Sequence, residues 1–206
     1  MIKIFQSIFC ILLITTGLIN QTKADLPVAI NLDEFSCQNY MIDMAQEYAP
    51  GNQIHLIKNI VNFSMWMEGA VADSTKILPT YFINEVITAV VHACSNNRTS
   101  PVFVVYQAER EKLLTTFDKK KIENESFDIA KSFCSEALDK NRNFLGGAMV
   151  FIFWINGFGS KENFIDFNNM EKLFQQAESE CRHNPEKPIL NVVQQIILTN
   201  WAYDIR

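Results

Sequence analysis

The chain lacks the short signatures of the common enzyme classes. It has no His-Glu-x-x-His of a zinc protease, no Gly-x-Ser-x-Gly nucleophile turn, no phosphate-binding glycine loop and no Cys-x-x-Cys redox pair. Histidine is scarce, with His55, His92 and His183 the only three in 206 residues. His92-Ala-Cys94 and Cys181-Arg-His183 have the residue types that bind zinc, but a cysteine in a disulfide cannot ligate. Neither catalysis nor a metal or other cofactor is therefore expected. Basic charge is also in deficit, 18 Lys and Arg against 23 Asp and Glu, which argues against nucleic acid as a partner.

What is present begins with a leader pattern. Lys3 precedes the apolar run from Ile8 to Ile19, and Thr22-Lys23-Ala24 ends in the small residue that a signal peptidase needs. Asn20, Gln21 and Lys23 follow the run at once, and the run is short for a bilayer span, so residues 1–24 are expected to be a cleaved signal peptide rather than an anchor. Cys10 would leave with it, and Phe9 before Cys10 is not the small residue of a lipoprotein site. The remaining 182 residues suffice for one ordinary domain or two small ones. With Lys3 and Lys23 gone, 16 basic residues face 23 acidic ones, a balance of −7. Four cysteines stay behind, Cys37, Cys94, Cys134 and Cys181; in an exported chain they read as two disulfides with three available pairings, and in a reducing compartment as structural thiols.

The chain repeats itself. One copy runs from Cys37 through Trp66-Met67-Glu68-Gly69 to Cys94, the other from Cys134 through Trp154-Ile155-Asn156-Gly157 to Cys181. The Trp-to-Cys separations are 28 and 27, whereas the Cys-to-Trp segments differ, 29 against 20. Asn97 and Asn184 follow the second cysteine of each copy at the third position, then come Pro101, or Pro185 with Pro188, and an apolar run. The reading is one of helices throughout. Asn31 with Glu34 predicts a capping box for a helix through Cys37 to about Tyr48, closed by Pro50-Gly51. A second helix is predicted from near Gln53 past Trp66. A third follows Pro79, with Phe82, Val86, Ala89, Val90 and Ala93 on one face. Ser100-Pro101 predicts a cap with proline at the first helical position. In the second copy Ser126 is the predicted cap of the Cys134 helix, and Asn168 with Glu171 of the helix leading to Cys181. Asn184-Pro185 should end that helix and Pro188 open the next. The β-branched and aromatic runs at 102–106 and 150–154 admit a strand reading. Lys119 to Glu125, charged and without apolar periodicity, is read as a linker between module 1 (25–118) and module 2 (126–206).

Asn143 to Ser160 carries no charge across 18 residues and is read as a buried central helix interrupted by asparagine and glycine. Such a helix must be enclosed by its own module or a partner. Trp66, Phe144, Phe151, Phe153, Trp154 and Phe158 are the residues assigned to core or client binding. Asn62-Phe-Ser64, Asn97-Arg-Thr99 and Asn124-Glu-Ser126 fit the glycosylation pattern, but chance supplies such triplets in a chain rich in Asn, Ser and Thr.

The second copy, through "CSEALDKNR", "WINGFGSKENF", "MEKLF" and "CRHNPEKPILNVV", resembles the HdeA/HdeB-like family of small periplasmic helical proteins over Phe127 to about Ile197. The first copy matches it less well. The resemblance implies an all-α fold, a tandem of two disulfide-stapled helical modules, with Cys134 bonded to Cys181 and, by the repeat, Cys37 to Cys94. The family's best-known members are acid-activated chaperones that loosen at low pH and hold unfolded clients. Related scaffolds serve as immunity proteins. The composition permits acid loosening: neutralising all 23 carboxylates and charging the three histidines would give the mature chain a net charge of +19. The expectation is an exported, non-enzymatic periplasmic holdase acting on unfolded envelope proteins. The alternative is a module for one specific partner, an immunity protein or envelope-complex subunit. The two copies are expected to pack as an intrachain pseudo-dimer, with no membrane span after cleavage.

Overall fold

The computed structural model describes residues 29–47, 60–160 and 164–200. The leader, Pro50-Gly51, His55 and the start of the helix expected from Gln53 lie outside the described residues. The fold is all-α with short strands. In the first copy β1 (Ala29–Asn31) leads to α1 (Cys37–Glu47), α2 (Ile60–Ala70), β2 (Lys76–Ile77), α3 (Thr80–Asn96) and α4 (Val102–Thr116). After α5 (Lys119–Glu125), the second copy gives β3 (Phe127–Asp128), a 3₁₀ turn (Ile129–Lys131), α6 (Cys134–Ala137), α7 (Ala148–Gly159), β4 (Phe164–Asp166), α8 (Phe167–His183) and α9 (Ile189–Asn200).

Local chemistry explains the boundaries. Pro79 opens α3, whose Phe82, Ile83, Val86, Val90 and Cys94 recur at helical spacing and are buried. Pro101 and Pro188 each stand one residue before the helix they introduce, since proline cannot donate to the helix ladder and its φ suits the entry. Both runs that admitted a strand are helical, in α4 and α7. Several expected caps are displaced. Ser36 Oγ accepts from Asn39 N at the start of α1, whereas Asn31 turns the chain earlier by accepting from Asp33 N through its side chain. Ser100 makes no side-chain cap for α4. Ser126 ends α5 instead of opening α6, its hydroxyl donating to Ile122 O, and Glu136 accepts from Phe133 N where α6 begins. Asp166, not Asn168, caps α8 through Asn169 N. The segment read as a linker is itself helical, capped by Asp118.

The disulfides are Cys37–Cys94 and Cys134–Cys181, each with Cα atoms 4.9 Å apart. They tie the first helix of a copy to its long third helix, closing loops of 57 and 47 residues. Removing that freedom from the unfolded chain stabilises each copy by about 4 kcal/mol on the chain-entropy account.

Each copy is completed by the other. β1 pairs antiparallel with β4, Ile30 opposite Ile165, and β2 pairs antiparallel with β3, Ile77 opposite Phe127. Among the described residues the central helices α2 and α7 form the most extensive contact between elements. They run antiparallel, since Trp66 meets Gly157 while Gly69 meets Trp154. This is the reciprocal pattern of an isologous interface, drawn within one chain. A Cβ added at Gly69 would run into the carbonyl of Trp154, and one at Gly157 into that of Trp66, so glycine is what lets the backbones touch. The uncharged run is thereby accounted for: only Ala148–Gly159 of it is helical, and α2, α8 and α9 all pack against that helix. No helix among the described residues is long and apolar enough to cross a membrane.

Candidate binding groove

Trp66, Phe153 and Trp154 are fully buried, whereas Phe144, Phe151 and Phe158 are half-buried against the core. Phe158 stacks on Trp154 at 5.0 Å and Phe144 meets Phe174 at 5.2 Å. The set assigned from sequence thus divides between the α2–α7 seam and the outer face of the second copy.

At the seam the repeat is broken chemically. Trp66 Nε1 donates to Asn156 Oδ1 at 2.7 Å. The matching residue of the first copy is Glu68, yet Glu68 does not accept from Trp154, whose Nε1 has no acceptor among the described residues. Glu68 instead accepts from Tyr106 Oη at 2.8 Å and from Arg110 Nε and Nη2 at 2.9 to 3.0 Å. The Glu68 side chain is 1% exposed and that of Arg110 13%, so the charge of each is matched almost out of water. Burial first, and then the Glu68 carboxylate, hold the Tyr106 hydroxyl well above its usual pKa. For Arg110 burial works downward, but the bond and charge of Glu68 prevail and raise it.

The outer face of the second copy carries a concave site with aromatic walls. Phe127, Phe133, Phe151, Ala137 and Ile189 line a groove of about 540 Å³, with Asp128, Lys131 and Glu136 among its polar residues. Phe127 lies parallel to Phe151 at 5.3 Å, yet remains 44% exposed, and Phe133 is 45% exposed. The acids here are engaged within the chain. Asp128 accepts from Thr75 Oγ1 and Ala130 N and pairs with Lys131 Nζ at 3.1 Å; these bonds hold its carboxyl below the usual carboxylate range. Glu136 is bonded to Phe133 N. The site can therefore bury apolar side chains against aromatic rings, and it presents no carboxylate free of its own chain's donors.

Phe127 and Phe133 were not among the residues singled out from sequence. His92 and His183 are exposed, the latter with Nδ1 2.7 Å from Ser179 O. No group of three metal-ligating side chains is assembled among the described residues. Of the glycosylation triplets, Asn62 is buried at 2% exposure and closed to an enzyme in the folded chain, while Asn97 and Asn124 are exposed. Compared with protein families, with curated proteins and with solved structures, the chain matches none.

Proposed function

We propose that the protein is an exported, non-enzymatic module of the periplasm, HdeA-like in its stapled helical design, that binds another polypeptide through the groove of its second copy. The observation that carries this reading is the exposure of Phe127 and Phe133 beside a concave aromatic wall, when the other aromatic clusters among the described residues are largely closed. Exposed apolar concavity rimmed by polar groups is where folded proteins take up partners. The two disulfides suit an oxidising compartment. Full-length tagged protein, mixed with envelope extract at neutral pH, is expected to retain one protein in constant ratio and to lose it on Phe127→Ala. Retention of a mixed set, or capture indifferent to that substitution, contradicts the reading.

A second reading, the acid-activated holdase, is favoured by the Glu68–Arg110–Tyr106 cluster beside the seam. There Arg110 Nη2 meets Glu68 Oε1 at 2.9 Å almost out of water, so the packing beside the seam depends on a matched charge pair. The disulfides do not titrate and would keep each loosened copy tethered. This reading expects suppression of client aggregation below about pH 4, where carboxylates protonate, and little at neutrality. Absence of protection at every pH removes it.

A further inference from the structure

The repeat supplies an internal reference for the groove. In the first copy Cys37 N donates to Ser100 O and Val102 N to Phe35 O; in the second, Cys134 N donates to Lys187 O and Ile189 N to Ser132 O. These equivalent bonds match Ser132 to Phe35, Phe133 to Ser36 and Ala137 to Tyr40. The tryptophans match Phe151 to Phe63. In the first copy Phe35 and Tyr40 pack on Phe63 at 5.6 and 5.9 Å, and all three are buried. In the second copy Phe151 keeps the place of Phe63, but Ser132 and Ala137 stand where the two rings were. The groove is the space those rings would fill, and Phe127 covers Phe151 only in part.

We infer that this groove receives an aromatic side chain of a separate polypeptide, which packs on Phe151 as Phe35 and Tyr40 pack on Phe63. The inference rests on the polypeptide-binding reading and names its ligand. A ring is favoured over an aliphatic chain because the wall is itself aromatic, and edge-to-face or offset contacts add to the area buried. A second copy of the chain is disfavoured by charge, since two molecules each carrying the mature balance of −7 repel.

The test uses full-length protein at neutral pH and the peptide acetyl-Gly-Ser-Phe-Ser-Gly-amide, with leucine or alanine in place of phenylalanine as comparisons. NMR shifts of Phe127, Phe151 and Ile189 report binding. The phenylalanine peptide is expected to bind in the millimolar range, as befits so small a ligand, the leucine peptide at least about five-fold more weakly, and the alanine peptide not measurably. The double substitution Ser132→Phe with Ala137→Tyr writes the first copy's residues into the second and should weaken binding at least about ten-fold with the melting temperature kept. A spin label at exposed Lys131, introduced as Lys131→Cys, provides a readout that needs no filled groove: it should broaden the peptide's ring signals. Equal or tighter binding of the leucine peptide overturns the aromatic assignment and leaves the module reading intact. Absent broadening, unchanged affinity of a folded filled variant, or no binding of any peptide overturns the inference, the module reading then resting on the envelope capture. A concentration-dependent dimer that the filled variant abolishes would give the groove to a second copy and overturn it too.

Discussion

Replacing Gly69 by alanine tests the seam most directly. A methyl there would meet the Trp154 carbonyl head-on, with Trp154 C at 2.9 Å and Phe158 N at 3.0 Å just behind. Ordinary carbon contacts lie at about 3.5 to 4.0 Å. These are backbone atoms of a packed helix, so no rotamer change relieves them; α2 and α7 must separate by something on the order of 1 Å. Overpacking of this kind costs about 1–3 kcal/mol, occasionally more, and a gap of that size forfeits a quarter to a half of the dispersion energy along the contact. Alanine returns about 1 kcal/mol of helix propensity. The expected net loss is about 2 kcal/mol or more, which at a urea dependence of about 2 kcal/mol per molar lowers the unfolding midpoint by about 1 M. Gly157→Ala should behave alike, its methyl facing Trp66 O with Ala70 N at 3.0 Å. One separation relieves both clashes, so the double variant should lose less than the sum of the singles. Gly159→Ala is the control, because nothing lies within 4 Å of its added carbon. If Gly69→Ala and Gly157→Ala prove as stable as Gly159→Ala in urea, the two helices do not meet through their glycines and the account of the seam is wrong.

Arg110→Met should cost about 3–5 kcal/mol by calorimetry or urea unfolding at neutral pH, because it leaves the Glu68 carboxylate buried and unpaired; a neutral result would mean that water reaches Glu68. Asn156→Leu should cost about 1–3 kcal/mol by orphaning Trp66 Nε1, with the loss absent in a Trp66→Phe background. Tyr106, whose pKa is raised in the folded chain, contributes stability that is whole below the ordinary tyrosine value near 10 and lost as pH rises toward the raised value; alkaline melts of Tyr106→Phe should lack that limb. Asp128 has the opposite sign. Its lowered pKa gives a contribution present above the ordinary carboxylate range and lost as pH falls through the lowered value, so Asp128→Asn should flatten the decline of melting temperature in acid.

The parts that the sequence made legible are those with local causes. Prolines 79, 101 and 188 act on their own φ and their own missing N–H, so the helix entries sit within a residue of where they were expected. The cysteine–tryptophan–cysteine order exposed the duplication. The strands were invisible because two or three residues cannot establish a period, and they displaced the caps: β1 takes in Asn31, and β4 ends at Asp166, so that α8 has already begun when the chain reaches Asn168. Glu68 in an apolar helix had no visible partner, since Arg110 lies 42 residues on and is brought back only by the turn between α3 and α4. The groove depends on which side of one short turn a phenylalanine falls. Residue type alone carries no such information; aligning Phe35-Ser36 with Ser132-Phe133 on the cysteines is the signal that was available.

The crossed strands and the shared glycine seam bear on what the covalent join permits. Two identical subunits meeting in this way would carry every change twice, and emptying a ring from each would weaken both at once. A fused pair escapes that doubling: one half keeps Phe35 and Tyr40 inside and holds its shape, while its sibling can trade solidity for an opening. With the groove as the docking point proposed above, such a chain would offer one per molecule where a dimer of equals would offer two or none, and binding is expected to saturate at a ratio of one to one.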